Sequence, residues 1–381
     1  MKRAFLIDTN IGCTPGFTDL TLIKTYLNNN GWRLARKIES SNIVIVYTCA
    51  CSKQAEDNSI DYIKKAEKEK NPNAQLIVSG CLPSINKVRL KRIFKGLAIS
   101  ANSLGELEKL LSKSSQFSIT KYIYPVKNLK RIERKDVYHL RIGWGCFGKC
   151  TYCAVKFVFG RPRSRPIEDI LKEYHLAYEK GYKKFVLVAN DAGSYGLDLS
   201  TSLAFLVNKL YQEHSECKFF LSHFTPNKLK EMLPSLEDII RSGKILRMNI
   251  PVQSGSDRII QLMERPYTVD DFKYCIEKII EWNPKLELKT DIIVGFPSET
   301  KRDFLDTLKL VEWLSSKGVF IQFFNYSKRP NTKASSMPGQ ISAIIKQQRF
   351  RKCAKVTALY SLLHNKKSFS KLKRDKLSQG V

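Results

Sequence analysis

Gly145-Cys146-Phe147-Gly148-Lys149-Cys150-Thr151-Tyr152-Cys153 sets three thiols in a C-x3-C-x2-C loop that also carries two glycines. The loop follows an apolar, strand-like run at Val137–Ile142. Five further strand candidates come after it, near Lys184–Ala189, Phe219–His223, Leu246–Val252, Leu286–Val294 and Phe320–Tyr326, with helical spacing between them. One of these helices opens on Thr300-Lys301-Arg302-Asp303, a Thr-x-x-Asp start signal. It then carries Phe304, Leu308, Val311 and Leu314 on one face. Six βα units are too few for an eight-stranded barrel and fit a partial (β/α)6 barrel over 136–335. Chemistry in such folds gathers at the carboxyl ends of the strands, where the cysteine loop stands.

Toward the amino terminus, residues 1–115 alternate strand and helix patterns, which predicts an α/β domain with an open parallel sheet. Ala4–Ile7, Ile43–Val46 and Leu76–Val78 are the strand runs. Leu20, Ile23 and Leu27 share a helix face that stops at Asn30-Gly31, and a charged helix runs from about Ala55 to Lys70. Cys13, Cys49 and Cys81 are 36 and 32 residues apart. A βαβ unit takes roughly 30 residues or more, so each cysteine falls just past a strand's carboxyl end. Open sheets bind ligands at that edge, and three cysteines distant in sequence can converge there. Residues 116–135 are polar and basic and read as a linker, and 336–381 as a basic, helix-like C-terminal segment.

The chain has 381 residues, room for two or three domains. No apolar run reaches about 18 residues, so no transmembrane helix is expected. The start, MKRAFLIDTNIGC, reads as a first strand and not as a signal peptide. Ten cysteines without such a signal point to a reducing compartment, by default the cytoplasm. Lys and Arg number 65 against 36 Asp and Glu, a net charge of +29. A generally basic proteome would also produce such an excess. Here it is spread broadly and recurs in runs, at Lys127–Lys135 and Lys366–Lys376, which favours a polyanionic partner, nucleic acid first.

The Cys146, Cys150 and Cys153 loop has three readings. A structural zinc needs a fourth ligand, and none of the five histidines stands in ligand spacing with the loop. Redox disulfide chemistry would use Cys150 and Cys153 and leave Cys146 unexplained. An iron–sulfur cluster on three thiolates, with one iron open to a substrate or cofactor, accounts for the count. Cys217, Cys275 and Cys353 are most simply buried or surface thiols.

The loop, with an aromatic before its last cysteine and a partial barrel behind it, resembles the radical S-adenosylmethionine superfamily. Several further stretches are similar to the methylthiotransferase branch: Gly160-Arg-Pro-Arg-Ser-Arg-Pro166, Ile250–Asp257, Thr290–Pro297 and Tyr326–Pro330, with Gly12-Cys13, Tyr47-Thr-Cys49 and Ser79-Gly-Cys81 near the amino terminus. The resemblance covers about residues 1–350. It implies two [4Fe–4S] clusters, one on Cys146, Cys150 and Cys153 that cleaves S-adenosylmethionine to a radical, and one on Cys13, Cys49 and Cys81 that carries sulfur. The implied reaction inserts a methylthio group at an unactivated C–H bond. It also implies a sulfur donor and a reductant of flavodoxin or ferredoxin type. For the cofactor it points to Tyr152, Asn190, Asp191, Gln253, Ser254 and Gly295, the last in a strand-end turn with Pro297. Asp291 is expected either as a structural residue of the barrel interior or in contact with the substrate, and Arg163 and Arg165 are expected either at a carboxylate of cofactor or substrate or in solvent.

The family's substrates divide between tRNA and protein. Asp191-Ala-Gly-Ser-Tyr-Gly196 resembles the branch acting on threonylcarbamoyl-adenosine beside the anticodon, and equally the branch modifying a ribosomal-protein aspartate. The charge favours tRNA, with a ribosomal protein or ribosomally made peptide as the alternative. A non-catalytic iron–sulfur RNA-binding protein is a remote one. Two departures stand out: Cys51 lies two residues after Cys49, and Ala154-Val155-Lys156 replaces an apolar pair followed by proline. Family members usually continue into a small RNA-binding β-barrel, the TRAM domain, which is not expected here.

Overall fold

Ile43–Val46, apolar without a break, lies at the centre of a five-stranded parallel sheet. The computed structural model describes residues 2–9, 13–111 and 136–363. The expected linker at 116–135 and the basic runs Lys127–Lys135 and Lys366–Lys376 lie outside the described residues. Strands β1 (Arg3–Asp8), β2 (Arg33–Leu34), β3 (Ile43–Thr48), β4 (Gln75–Gly80) and β5 (Leu97–Ser100) are ordered β2-β1-β3-β4-β5. Every residue of β3 is buried, as a parallel strand covered on both faces must be. Helices α1 (Thr14–Asn29), α2 (Lys53–Glu69), α3 (Leu82–Ile85), α4 (Lys87–Ile93) and α5 (Gly105–Leu111) alternate with the strands. Ser52 caps α2 by accepting the Ala55 N–H. The sheet order reverses direction between β1 and β3, the switch point at which open α/β sheets bind ligands. Cys13 begins α1 after β1, Cys49 follows β3, and Cys81 begins α3 after β4.

A second parallel sheet has six strands ordered as in the chain: β6 (Val137–Arg141), then, after a short antiparallel hairpin of β7 (Gly143–Trp144) and β8 (Arg163–Ser164), β9 (Lys184–Val188), β10 (Lys218–Leu221), β11 (Ile245–Asn249), β12 (Glu287–Val294) and β13 (Phe320–Asn325). All six expected strands form. Those expected to end near His223 and Val252 stop at Leu221 and Asn249, and the backbone turns left-handed just beyond, at His223 (φ 63°) and Gln253 (φ 70°). The hairpin, which brackets the cysteine loop, escaped the sequence reading: two-residue strands carry no period. Helices α6 (Lys156–Phe159), α7 (Ile167–Glu179), α8 (Leu203–Glu213), α9 (Pro226–Arg241), α10 (Asp257–Leu262), α11 (Val269–Trp282), α12 (Lys301–Ser316), α13 (Lys333–Ser336) and α14 (Ala343–Leu363) complete the fold. On β12, Leu288, Thr290, Ile292 and Val294 are buried, while Lys289, Asp291 and Ile293 are partly open. The first set packs under the helices, so the alternate set faces the barrel interior. The basic segment after the barrel starts as α14, whose Cys353 joins the barrel core and whose Phe350 ring meets Phe323 at 6.2 Å. Among the described residues no helix is long and apolar enough to cross a membrane.

Helices α1 and α2 of the amino-terminal domain meet the second sheet at its first strand and just beyond its last. At β6, Arg141 forms a buried ion pair with Asp19 of α1 and donates to the Pro15 carbonyl at 2.8 Å. Tyr47 Oη donates to the same Asp19 at 2.6 Å, and Phe17 packs on His139 at 5.1 Å. Beyond β13, Arg329 pairs with buried Glu56 of α2, and the Lys53 N–H donates to Ser327 Oγ at 2.8 Å. Asp19→Ala leaves the Arg141 guanidinium buried without its counter-charge. It should lower the unfolding free energy by about 3–5 kcal/mol in urea titration.

The Thr300 signal is realised as a capping box: Thr300 Oγ1 accepts the Asp303 N–H, and Asp303 Oδ2 accepts the Thr300 N–H. Burial opposes charge on Asp303, but Arg258, Thr300 and Ser256 outweigh it and hold the carboxyl below the usual carboxylate range. Its folded pKa thus lies below the unfolded value of about 3.9. The stability it contributes is complete above about pH 4 and is lost as pH falls through the folded value. Asp303→Asn should be less stable than wild type at neutral pH and lose less on acidification below about pH 4, read by denaturant melts across that range.

Candidate active site

Hydrogen bonds from three sides fix the cysteine loop. Gly145 turns left-handed (φ 77°), and a Cβ there would stand 2.2 Å from the Arg161 carbonyl oxygen. Its N–H donates to Asn190 Oδ1 at 3.0 Å. Thr151 is tied to α10 by its N–H to the Met263 carbonyl (3.1 Å) and its hydroxyl to the Leu262 carbonyl (2.9 Å). The Ala334 N–H closes on Thr151 from α13. Behind the loop, Trp144, Ala154, Val158 and Phe159 enter the apolar core of the amino-terminal domain, against which Cys81 also packs. One apolar cluster therefore joins residues flanking the cysteine loop to Cys81 of the other triplet.

Gly148 leaves a bare cradle between two thiols: a Cβ there would lie 3.1 Å from Cys146 Sγ and 3.5 Å from Cys150 Sγ. Arg265, which nothing in the sequence period marks, is buried beside them. Its Nη1 lies 3.4 Å from Cys150 Sγ and donates to Tyr152 Oη at 3.0 Å, while Nη2 donates to the Pro251 carbonyl at 3.2 Å and Nε to Tyr267 Oη at 2.5 Å. Only the fold brings this guanidinium, more than a hundred residues away in sequence, to the loop. Burial, with Asp191 next, pushes Cys146 up, and burial with Cys150 pushes Cys153 up. In the other triplet, burial and the nearby Cys49 raise Cys13 to about 12, and burial with Cys13 and Cys49 raises Cys81. These mutual effects put the three thiols in electrostatic reach of one another. Cys49 differs: a hydrogen bond with Cys51, its sulfur 3.3 Å away, lowers it to about 7 against burial.

Buried thiols of raised pKa release their protons only to a strongly bound cation. Among the described residues, no three Cys, His, Asp or Glu side chains close in enough to hold a single metal ion. Three soft thiols are a donor set that fits an iron–sulfur cluster, in which each thiolate takes a different iron. The bare face of Gly148 leaves room for its inorganic part.

Asn190 and Asp191 stand against the loop with Tyr152. Asp191 Oδ2 lies 3.2 Å from Cys146 Sγ and accepts the Ser194 hydroxyl, while its buried Oδ1 has no hydrogen-bond partner among the described residues. Gln253 bridges β11 to β12 through its backbone, donating to the Asp291 carbonyl and accepting from the Ile293 N–H, both at 2.8 Å. Ser254 and Gly295 keep other company. The Ser254 hydroxyl meets Thr307 of α12 at 3.4 Å. The Gly295 N–H donates to Glu299, and its open side lies under Lys346 of α14. Of Arg163 and Arg165, the first is exposed to solvent and the second is buried. Arg165 is buried in an ion pair with Glu173 at 2.6 Å, and Arg163 donates to Asn102 of the amino-terminal domain at 2.7 Å. Only Arg165 is taken up inside the fold, by the Glu173 carboxylate of α7. Cys217, Cys275 and Cys353 are fully buried.

Residues 140–311 match the Radical SAM superfamily, and residues 5–100 match the Uncharacterized protein family UPF0004. The chain is 31% identical to a probable threonylcarbamoyladenosine tRNA methylthiotransferase of Methanocaldococcus jannaschii, over 94% of this chain and 84% of that protein. The chain belongs to the radical S-adenosylmethionine methylthiotransferase family. It is also 32% identical to a tRNA-2-methylthio-N(6)-dimethylallyladenosine synthase of Caldicellulosiruptor saccharolyticus (95% of this chain, 79% of that one). Identity is 28% to the ribosomal protein uS12 methylthiotransferase RimO of Chlamydia pneumoniae (94% and 78%). The fold is similar to that of the radical S-adenosylmethionine methyltransferase TsrM of Kitasatospora setae, with a TM-score of 0.63 at 11% identity over 88% of this chain and 77% of that one.

In this methylthiotransferase, Arg265→Met keeps side-chain bulk but removes donors to Tyr152, Tyr267 and Pro251. The unfolding free energy should fall by about 1–3 kcal/mol, and Arg265→Lys should restore only part of it, since an ammonium cannot span the same acceptors.

Proposed function

We propose that the chain inserts a methylthio group at an unactivated C–H bond of a modified adenosine in tRNA, of threonylcarbamoyl type, in the cytoplasm. One observation carries the reading: two cysteine triplets stand at strand carboxyl ends, one about the sheet switch point and one at the barrel mouth, with residues beside the loop sharing an apolar cluster with Cys81. Held by Cys146, Cys150 and Cys153, a [4Fe–4S] cluster would supply reductive cleavage of S-adenosylmethionine, and a second on Cys13, Cys49 and Cys81 would carry the sulfur. Arg265 offsets thiolate charge at Cys150, and Asn190 holds the loop's entry through Gly145. The unpartnered Asp191 Oδ1, beside Cys146, is an acceptor suited to the cofactor's ammonium group. Tyr152, its ring edge-on to Phe296 at 6.5 Å, walls the cofactor's side of the site.

The net charge of +29 supports RNA as substrate. The RimO-type relative supports a ribosomal protein as the second reading, with a ribosomally made peptide beside it. A sulfur donor and a flavodoxin- or ferredoxin-type reductant complete the partners.

Cys146→Ala should abolish 5′-deoxyadenosine formation and lower iron per reconstituted chain by about half. The triple change Cys13→Ala, Cys49→Ala, Cys81→Ala should lower iron similarly, keep 5′-deoxyadenosine and lose the methylthio product. Unchanged iron in the triple variant would sink the two-cluster assignment. Mass spectrometry of tRNA nucleosides from cells with and without the gene tests the substrate: methylthio-adenosine that persists without the gene overturns the tRNA reading.

A further inference from the structure

Deeper in the barrel, two side chains on adjacent strands leave acceptors exposed to nothing. Asn249 ends β11, and Asp291 lies on the inward face of β12. Asn249 Nδ2 donates to Asp291 Oδ2 at 3.3 Å. The Oδ1 atoms of both residues are buried and have no hydrogen-bond partner among the described residues, and Asn249 as a whole is only 8% exposed. Native interiors leave few such groups unmet, so two adjacent ones mark a place for a donor that the protein itself does not supply.

We propose that Asn249 and Asp291 form an acceptor pair that reads a substrate N–H edge inside the barrel and selects an adenine base over a carboxylate-bearing side chain. The inference rests on the RNA reading above and names the residues that would enforce it.

The chemistry of the pair is one-sided. The Asn249 amide is oriented by its donation to Asp291; turned over, its oxygen would face the carboxylate oxygen. Both groups therefore present oxygen to the barrel interior and call for N–H donors. The exocyclic N6 of an adenine is such a donor, and with one substituent it still keeps one hydrogen. A carboxylate brought to the same place would meet the Asp291 charge with neither party able to donate. Lys289, one pleat deeper on the same face, stands 5.8 Å from the centre of the Phe320 ring.

The pair also lies on a continuous path to the thiol loop. His223, at the end of β10, is within electrostatic reach of both Asp291 and Asp191, and Asp191 touches Cys146. His223 holds a left-handed backbone (φ 63°), a conformation that non-glycine residues keep mainly where surroundings impose it, often at functional sites. A base held by Asn249 and Asp291 would thus sit in the same interior over which the cysteine loop closes.

The test uses full-length reconstituted enzyme and two anticodon stem-loop RNAs, one with an N6-monosubstituted adenosine and one with an N6,N6-dialkylated adenosine that lacks the N6 hydrogen. Wild type should show a KM roughly 10- to 100-fold higher on the dialkylated RNA, the factor expected for one hydrogen bond to a charged acceptor. Asp291→Asn should raise KM by a similar factor on the monosubstituted RNA, with a smaller change in kcat and more 5′-deoxyadenosine released per methylthio product. On the dialkylated RNA the variant should lose little further, because the same contact is already gone. Equal KM for wild type on the two RNAs overturns the inference, and this comparison stands even where a variant fails to fold. Full additivity of the two changes also overturns it. A wild type that methylthiolates a ribosomal-protein peptide and neither RNA overturns the RNA reading itself, a result distinguishable from either of these.

Discussion

Six parallel strands that stop short of a closed barrel leave two bare edges, and unpaired strand edges invite the wrong partner. In this chain the amino-terminal domain meets the first edge and the loop that follows the last strand, while α14 packs against β13. At β6 the contact is a buried charge pair, Asp19 with Arg141, reinforced by Tyr47; beyond β13 it is Glu56 with Arg329. Buried pairs of this kind add little net stability over an apolar contact, but losing one partner is costly. Their effect is to fix how the two sheets meet. That relation decides which cysteines stand near which, so the chemistry proposed for the site depends on it.

The second element of the same arrangement is apolar. Trp144, Ala154, Val158 and Phe159 belong by sequence to the barrel, yet their side chains are buried in the core of the amino-terminal domain. The loop that carries Cys146, Cys150 and Cys153 is thereby anchored at its back by the domain that holds the other triplet. Thr151 anchors its front to α10 and α13. Desolvation raises the pKa of Cys13, Cys81, Cys146 and Cys153, and the buried cation Arg265 is placed beside Cys150. Such a setting favours neutral thiols until a cationic cluster compensates their charge.

Along the barrel interior, polar side chains recur at the strand ends: Asp191, His223, Asn249 and Asp291. The alternation of β12 makes the logic visible, with Thr290 and Ile292 buried under helices while Asp291 faces inward. Ser254 and Gly295 lie close by in sequence but on the other side of the strand layer, where they brace α12 and α14. Two residues in one motif thus take opposite faces, a distinction that motif matching does not carry.

Local pattern was enough for much of this protein. The uninterrupted run Ile43–Val46, the capping signal at Thr300 and the C-x3-C-x2-C spacing each fix their own element or ligand count, because strand burial, helix capping and thiolate geometry act over a few residues. The strand-length intervals between Cys13, Cys49 and Cys81 likewise foretold that each stands at a sheet edge. What the sequence left open is whatever depends on side chains meeting across long separations. Arg265 beside Cys150, Arg165 inside the fold with Glu173 and the pairing of Asn249 with Asp291 have no local signature. They exist because parallel strands and their crossovers bring distant residues to one surface, and only the tertiary structure decides which of those surfaces faces the chemistry.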